Sequence, residues 1–375
     1  MEKSKLQKAG NILFFIGVAI ELLVMMTDHS AITLPYRGRV THVAFVLFGL
    51  KILTNRYSKK EWIVIVLAGL LGTLSYFTCT DEYVIRIVVM LVASKNIDYK
   101  KCIYLILYVT IVGTALIMLL SIAGKMGNMV DVRDYGRGIV ESRWCLGFSH
   151  ANNVHDMLWY LVALGILAYG EKLSYKYYSV VFIVNIGVLL LTRSRTGFAT
   201  VCFLVMIGLL TKYVKSVFDT AIPYMIGIFM TLACIGVSIW ASAVSSVYYE
   251  PPKILNLLNG FLTQRLEMDY EHANISDWML LPGERNIIAV DDGFAYLFYV
   301  YGIIVGIAFI AFIMYLMYRI YLKKNGLLLA VLVTAIIVMF MESTYAINTS
   351  ILCNLVFVIF LIIWNQNNEQ IQEQK

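Results

Sequence analysis

The sequence predicts an all-α protein that crosses a membrane many times, and three observations support this prediction. Of its 375 residues, 60% are hydrophobic and only 14% are charged, whereas roughly a quarter of the residues are charged in soluble domains. Apolar runs of about 17–25 residues, long enough to cross a bilayer as helices, recur along the chain. Basic residues fill the short connections between these runs, where they set membrane orientation.

Twelve apolar segments are predicted to be transmembrane helices within one integral membrane domain, residues 1–375. They lie near residues 11–27, 40–54, 61–78, 82–95, 102–123, 153–170, 176–192, 197–214, 219–243, 293–318, 325–343 and 349–364. The fourth segment carries Arg86, and a charge at mid-membrane costs roughly 2.5–3.5 kcal/mol on insertion scales. We therefore expect a polar partner for Arg86, and Glu21 in the first segment is the candidate.

Charge placement predicts how the chain is oriented. The connections that alternate onto one side hold eighteen basic residues, sixteen of them lysine. By the positive-inside rule this side is the cytoplasm, so both termini are predicted to be cytoplasmic. The net charge of +6 is thus explained by orientation, and no nucleic-acid partner is expected. The six cysteines have no metal-ligand spacing, so no metal site is predicted.

Two connections on the predicted outer side are long, residues 124–152 and residues 244–292. Loops beyond about 12–15 residues are usually functional or disordered. The second loop has apolar residues at helical spacing from Ile254 to Leu266. This pattern predicts one short amphipathic helix lying on the membrane surface.

The outer side also carries basic residues, against the usual charge bias of membrane proteins. Nine of the eleven are arginine: Arg37, Arg39, Lys125, Arg133, Arg137, Arg143, Arg193, Arg195, Lys253, Arg265 and Arg285. Orientation requires only charge, whereas the planar guanidinium also binds phosphate in a bidentate manner. The set predicts an anionic ligand. For any single arginine the alternative is an ion pair with the outer acids Glu250, Glu267, Asp269 and Asp277.

Three polar clusters on this side form the predicted site. Residues 192–197 (Thr-Arg-Ser-Arg-Thr-Gly) are a tight turn between two spans, and its two arginines are costly there unless an anion is bound or paired. Residues 147–153 (Gly-Phe-Ser-His-Ala-Asn-Asn) lead into the sixth span. Within them, His150 is either a general base or hydrogen-bond donor, or part of a helix start capped by Asn152 or Asn153.

The third cluster closes the second long loop and contains Glu284, Arg285, Asp291 and Asp292 before Gly293. Adjacent carboxylates at a helix N-terminus are stabilised by the helix dipole, so capping is one explanation. The other is that a carboxylate near the membrane acts as a base toward a hydroxyl group. Both alternatives stay open from the sequence.

In this order, the clusters resemble the motifs of the bacterial O-antigen ligase and Wzy-type polysaccharide polymerase family, over roughly residues 140–310. Residues 147–152 look like its Gly-Phe-x-His-Pro-Asn element, with alanine in place of proline, and residues 192–197 look like its Ser-Arg-(Thr/Gly)-Gly turn. Arg265 is similar to the arginine that begins the family's large periplasmic loop, and residues 281–283 (Leu-Pro-Gly) to the end of its helical part. Residues 291–302 are similar in spacing to the family's His-Asn, nine residues, Gly signature, with aspartate in place of the ligase histidine.

The resemblance implies a GT-C-like helical glycosyltransferase of the bacterial cytoplasmic membrane, working without cofactor, metal or nucleotide sugar. It would be a polysaccharide polymerase that joins polyprenyl-pyrophosphate-linked oligosaccharide repeats at the outer face, with inversion at the anomeric carbon. The residues expected to bind pyrophosphate and glycan are Arg195, Arg265, Arg193, Arg143 and Asn152. The candidates for activating the acceptor hydroxyl are Asp291, Asp292, His150 and Glu284.

Two other functions are weighed against this one. The first is a ligase-type transferase that moves finished glycan to another acceptor, and the second is a lipid-linked oligosaccharide flippase or other transporter. A transporter is expected to have two related halves, and residues 1–190 show no convincing repeat in residues 191–375. The expected partners are the lipid-linked oligosaccharide, membrane lipids, a chain-length regulator and a flippase.

Overall fold

Each of the twelve predicted segments overlaps a helix in the computed structural model, which describes residues 2–134, 140–247, 251–262, 264–283, 290–345 and 350–373. The helices are α1 (Glu2–Asp28), α2 (Arg37–Leu53), α3 (Lys59–Cys79), α4 (Tyr83–Ala93), α5 (Tyr99–Ile122), α6 (Ala151–Tyr169), α7 (Tyr175–Thr192), α8 (Arg195–Tyr213), α9 (Lys215–Phe218), α10 (Ile222–Val247), α11 (Lys253–Phe261), α12 (Arg265–His272), α13 (Gly293–Tyr296), α14 (Gly302–Leu322), α15 (Gly326–Met341) and α16 (Leu355–Glu373). Two strands, β1 (Val130–Asp134) and β2 (Val140–Trp144), lie between α5 and α6.

Among the described residues, seven helical units are long and apolar enough to cross a membrane: α1, α3, α5, α7, α8, α10 and the unit Gly293–Leu322 that contains α13 and α14. The helices α4, α15 and α16 are apolar but shorter, while α2 and α6 carry several polar residues. The chain is therefore an all-α membrane protein. The number of twelve crossings remains a prediction.

Side-chain caps fix several helix starts in the way that local sequence predicts. Ser58 and Glu61 form a reciprocal capping box at α3, and Asp98 accepts the N–H of Lys101 at α5. These side chains satisfy N–H groups that the first helical turn leaves without a partner. The short polar connections thus stop and restart the apolar helices.

The connections divide between two ends of the bundle. One end holds the β1–β2 hairpin with α11 and α12 and is termed the hairpin end. There, the Ser149 N–H donates to the His29 carbonyl at 3.0 Å. The other end is termed the lysine end, because most of its connections contain lysine; these are residues 54–58, 94–98, 170–174, 214–221 and 323–325. There, Asn365 Nδ2 donates to the Ser94 carbonyl at 2.8 Å. The predicted outer connections therefore meet at one end. Which end faces the cytoplasm remains a prediction.

The predicted partner of Arg86 is confirmed. Its Nη2 atom lies 2.5 Å from Glu21 Oε1, and both side chains are buried. Glu21 Oε2 also accepts hydrogen bonds from Ser350 Oγ at 3.1 Å and from the Ile351 N–H at 3.3 Å. The charge pair thus joins α1, α4 and the turn before α16, which is how a helical bundle accommodates ionised groups away from water.

The first long connection contains an antiparallel hairpin that the sequence did not predict. Val130 pairs with Trp144, and Asp134 pairs with Val140. A separate bridge between Ser30 and Phe148 ties the chain after the hairpin to the end of α1. This arrangement brings the start of α6 to the middle of the hairpin end.

The prediction of one amphipathic helix across Ile254–Leu266 is wrong, because the segment forms two helices. α11 ends at Phe261, and Gln264 adopts a left-handed φ of 63° that turns the chain into α12. α11 itself agrees with a membrane-surface helix, since Leu257 and Phe261 are 75% and 81% exposed while Leu255 and Asn259 on its other side are buried. The turn allows α12 to leave the surface and pack against α10.

The end of the second long connection is anchored to a break in the following helix. Between α13 and α14 the chain makes a π-helical turn, and Gly302 has φ 88°. A Cβ atom there would lie 2.5 Å from Pro282 Cδ, so this position requires glycine. The freed N–H of Ile303 donates to the Met279 carbonyl at 2.9 Å. Such turns occur frequently at functional sites.

Candidate functional site

Four segments that are distant in sequence bring polar side chains together at the hairpin end. Arg265, the first residue of α12, places Nη2 2.7 Å from Glu342 Oε1 and Nη1 3.6 Å from Asp291 Oδ2. Asn152 in the first turn of α6 donates from Nδ2 to the same Glu342 oxygen at 3.2 Å. These four residues are termed the Arg265 cluster. Three of them, Arg265, Asp291 and Asn152, come from the predicted site.

Glu342 is the member that the sequence did not predict. It follows α15 at the C-cap position, where the negative end of the helix dipole disfavours a carboxylate. Arg265 compensates for this, and the side chains of Arg265 and Glu342 are only 7% and 16% exposed. The position of Glu342 in the sequence could have identified it. An acidic residue directly at the end of an apolar run needs a partner of opposite charge, just as Arg86 within an apolar run does.

Arg265 retains hydrogen-bonding capacity. Its Nε and Nη1 atoms are buried, and no described acceptor lies within hydrogen-bond distance of either. One turn below Asn152, the Oδ2 atom of Asp156 is also buried and has no described partner. Buried polar atoms without partners are uncommon in folded proteins. The interior side of the cluster therefore has sites for a polar ligand or for water.

Asp291 is the accessible carboxylate of the cluster, with its side chain 40% exposed. Desolvation raises the pKa of Asp291 above its usual value, the Arg265 charge opposes this rise, and the Glu342 charge adds to it. A protonated His150 would also lower the pKa of Asp291 electrostatically. An accessible carboxylate with a raised pKa has the properties of a general base.

The start of α6 is capped by His150, so the prediction that Asn152 or Asn153 is the cap is wrong. His150 Nδ1 accepts the N–H of Asn152 at 3.1 Å. The ring nitrogen can replace a carboxamide because it is an equally suitable acceptor, and the neutral ring then carries its proton on Nε2. With His150 as the cap, the Asn152 side chain is available to bind Glu342.

Asp292 is adjacent to the cluster in sequence but is buried, at 1% exposure. Its Oδ1 atom accepts the N–H groups of Phe294 at 2.7 Å and Ala295 at 3.2 Å, and Ser238 Oγ donates to Oδ2. Asp292 is therefore the N-cap of α13, as the capping alternative predicted. These hydrogen bonds occupy both of its oxygens.

Asp269 of α12 faces Asp292, and each carboxyl group affects the ionisation of the other. Asp269 is fully buried, and no described N–H or hydroxyl group donates a hydrogen bond to its oxygens. Burial and the nearby charges of Asp292 and Asp291 raise the pKa of Asp269 well above its usual value. Burial raises the pKa of Asp292 to about 7. Because two neighbouring ionised carboxylates repel each other, we expect Asp269 to be protonated and to donate to Asp292.

This pair should make the stability of the protein depend on pH. Both carboxyls bind a proton more tightly in the folded state, so their contribution is complete below the unfolded pKa of 3.8. For Asp292 this stabilising contribution is lost as pH rises through about 7. The free energy of unfolding then falls by up to about 1.4 kcal/mol per pH unit for one proton. We expect the thermal midpoint of the purified protein to fall across this range.

In Asp269→Asn the amide donates the same hydrogen bond without titrating, so the fall of the midpoint with pH should be shallower. Asp277→Asn is the matched control, because Asp277 is an exposed carboxylate of the same connection. Equal slopes in the wild type and in Asp269→Asn would contradict a proton held between Asp269 and Asp292.

Arg193 and Arg195 flank the turn between α7 and α8. Arg193 ends α7 with a left-handed φ of 55°, and Arg195 is the first residue of α8. Both side chains are exposed, and neither has an ion pair or hydrogen bond with a described residue. Gly197 packs on α6, since a Cβ there would lie 2.8 Å from His155 Cβ. The turn thus lies beside the helix that carries Asn152.

The remaining predicted residues lie elsewhere. Arg143 in β2 is buried, and its Nε and Nη2 atoms are 3.0 and 2.9 Å from Glu141 Oε2. Its acidic partner is Glu141, which was not among the four acids that the sequence suggested. Glu284 lies outside the described residues.

No protein-family model, curated protein or solved structure matches this chain. The fold and the site thus define a class only: an all-α membrane protein with a buried charged cluster at one end of its bundle. Any more specific function must be argued from the site itself.

Proposed function

We propose that the protein is a polysaccharide polymerase that joins polyprenyl-pyrophosphate-linked oligosaccharide repeats at the outer face of a bacterial cytoplasmic membrane. The observation that carries the proposal is the Arg265 cluster. It unites Asn152, Arg265 and Asp291, which come from three separate motifs of the resemblance. A site that draws one residue from each motif is expected if those motifs serve one reaction.

The proposed reaction needs a base for the acceptor. A sugar hydroxyl attacks the anomeric carbon of the growing chain, the bond from that carbon to the pyrophosphate oxygen breaks, and the polyprenyl pyrophosphate leaves with the electron pair. The hydroxyl proton passes to Asp291, the accessible carboxylate of the cluster. Attack from the face opposite the leaving group inverts the anomeric configuration. His150 lies near Asp291 and caps α6 beside it.

The proposed ligands of the leaving pyrophosphate are Arg193 and Arg195. Their charges are not neutralised by any described acid, and Arg195 stands at the positive end of the α8 dipole, which favours anions. Fixed positive groups stabilise the charge that develops on the leaving group. To stabilise the leaving group, an arginine needs a charge that no acid neutralises, and its side chain does not need to be buried.

Arg265 is assigned a different role from the one the sequence suggested. Its guanidinium already lies within ion-pair distance of Glu342 and Asp291, so a pyrophosphate there would meet two negative charges. We assign Arg265 as a positioning residue that holds the base Asp291. Its buried Nε and Nη1 atoms remain suited to uncharged sugar oxygens.

The connection that contains α11 and α12 is proposed to cover the site. Arg265 and Asp269 attach α12 to the bundle through Glu342 and Asp292, and α11 presents apolar side chains outward. A cover that excludes water is important because water would hydrolyse the activated donor.

Reconstitution tests the proposal directly. Purified protein incubated with extracted lipid-linked repeat units should produce a ladder of glycans that differ by one repeat, together with free polyprenyl pyrophosphate. Transfer of a finished glycan to a different acceptor without a ladder would favour the ligase alternative. Movement of labelled lipid-linked sugar across a vesicle membrane without chain growth would favour a transporter and contradict the proposal.

A further inference from the structure

His155 is a buried histidine of α6 that the proposed reaction does not use. Both of its ring nitrogens have partners, and both partners belong to α7: Nε2 lies 2.6 Å from Asn185 Oδ1, and Nδ1 lies 3.2 Å from Thr192 Oγ1. An apolar side chain would be sufficient to pack α6 against α7. Two buried polar contacts, each of which has to be satisfied in the folded protein, therefore indicate a more specific role.

The contacts of Asn185 fix the tautomer of the histidine ring. Asn185 Nδ2 donates to the Phe198 carbonyl of α8 at 3.1 Å, so its Oδ1 atom faces His155. His155 Nε2 therefore carries a proton and donates a hydrogen bond to Asn185, while Nδ1 of the neutral ring is an acceptor. Thr192 supplies the hydroxyl donor for Nδ1. The ring thus connects α6 directly to α7 and, through Asn185, to α8.

Thr192 carries this network into the turn between α7 and α8. Its hydroxyl group also lies 2.8 Å from the Val188 carbonyl, and its oxygen accepts the Ser194 N–H at 3.3 Å. On the other side of the turn, a Cβ atom at Gly197 would lie 2.8 Å from His155 Cβ, so the first turn of α8 rests directly on the histidine. Both ends of the turn are therefore attached to His155.

These contacts determine where the two arginines of the turn point. Thr192 and Ser194 are buried, whereas Arg193 and Arg195 are exposed. Arg193 has a left-handed φ of 55°, a conformation that is uncommon for residues other than glycine and that persists where surrounding contacts enforce it. Anchoring of the alternate residues 192 and 194 in the bundle thus directs both arginine side chains outward.

We propose that His155 is a positioning residue that holds the α7–α8 turn so that Arg193 and Arg195 bind one pyrophosphate group together. The identity of this ligand rests on the proposed function, whereas the attachment of the turn to His155 does not. His155 does not touch the ligand and acts through Thr192. Ordering a mobile loop on binding costs affinity, so a turn that is already held in place should bind pyrophosphate more tightly than a loose one.

The experiment compares the wild type with Thr192→Val, which removes the hydroxyl but keeps the shape of the side chain. Native mass spectrometry of the purified full chain in detergent measures the binding of undecaprenyl pyrophosphate, and hydrogen–deuterium exchange follows the Ser194 amide. Thr192→Val should bind about 10-fold more weakly, as expected for a lost hydrogen bond of average strength, and Ser194 should exchange faster. Thr192→Ser keeps the hydroxyl and should retain most of the affinity.

His155→Phe tests the histidine itself and should weaken binding and speed exchange in the same way. It also leaves Asn185 Oδ1 without a donor and is expected to be less stable, so a control for stability is required. Tyr160→Phe removes another buried hydroxyl of α6, which donates to the Leu352 carbonyl at 2.6 Å. It should lower the thermal midpoint without changing pyrophosphate affinity or Ser194 exchange.

A double-mutant cycle separates positioning from general destabilisation. In the Arg193→Ala/Arg195→Ala background, Thr192→Val should cause no further loss of binding, because the residues that it positions are absent. Wild-type affinity or wild-type Ser194 exchange in Thr192→Val would overturn the proposal, as would an equal loss in both backgrounds. If the wild type binds no more tightly than the double arginine variant, the pyrophosphate assignment of the proposed function fails instead, and Ser194 exchange alone decides whether His155 holds the turn.

Discussion

Replacing Arg195 by alanine should stop chain growth, with lipid-linked single repeats accumulating and polymer formation falling about 10²–10³-fold. The leaving pyrophosphate gains negative charge as its bond to the sugar breaks, and Arg195 offers an exposed charge at the start of α8. No described acid neutralises it. The rate of ladder growth by purified protein, resolved on a gel, measures the effect.

Arg39→Ala is the matched control for this substitution. Arg39 is an exposed arginine at the same end of the bundle, and its guanidinium carbon lies 4.9 Å from the centroid of the Tyr36 ring. Its loss should leave the ladder unchanged. Arg195→Lys should retain part of the activity, because lysine keeps the charge without the bidentate fork. Normal chain lengths in Arg195→Ala would remove Arg195 from the proposed mechanism.

The sequence predicted the helices because their signal is local. A helix in lipid satisfies its own backbone hydrogen bonds, so a long apolar run is enough to identify it. The pairing of Arg86 with Glu21 was also predictable, since a charge within an apolar run requires an opposite charge. The hairpin was not, because β1 and β2 are short and their pairing depends on residues in two separate segments.

The candidate site was only partly predictable for the same reason. The ion pair between Arg265 and Glu342 joins residues 77 positions apart, and no local pattern links α12 to the end of α15. A count of charges also cannot tell which arginines are already neutralised. Arg265 and Arg195 were expected to act together on pyrophosphate, yet Arg265 lies among carboxylates while Arg195 has no described acidic partner.

Replacing Asp291 by asparagine should lower the rate of chain growth by about 10²–10⁴-fold, the usual contribution of a general base. An amide of the same shape cannot accept the hydroxyl proton. In the wild type, only ionised Asp291 is active, so the rate should rise with pH through its pKa, which lies above the usual 3.8. Rates measured across pH should show this acid limb in the wild type and no such limb in Asp291→Asn.

The charge of a neighbouring residue predicts the direction in which the acid limb moves. A merely structural role for Asp291 would not produce such a shift. The Glu342 charge raises the pKa of Asp291, so Glu342→Gln should move the acid limb to lower pH. His150 is neutral while its Nδ1 atom accepts the Asn152 N–H, so His150→Gln should keep the limb and move it much less. If His150 were the base instead, His150→Gln would abolish the limb and Asp291→Asn would keep it. A limb that moves to lower pH in Glu342→Gln and is retained in His150→Gln would therefore assign the proton to Asp291.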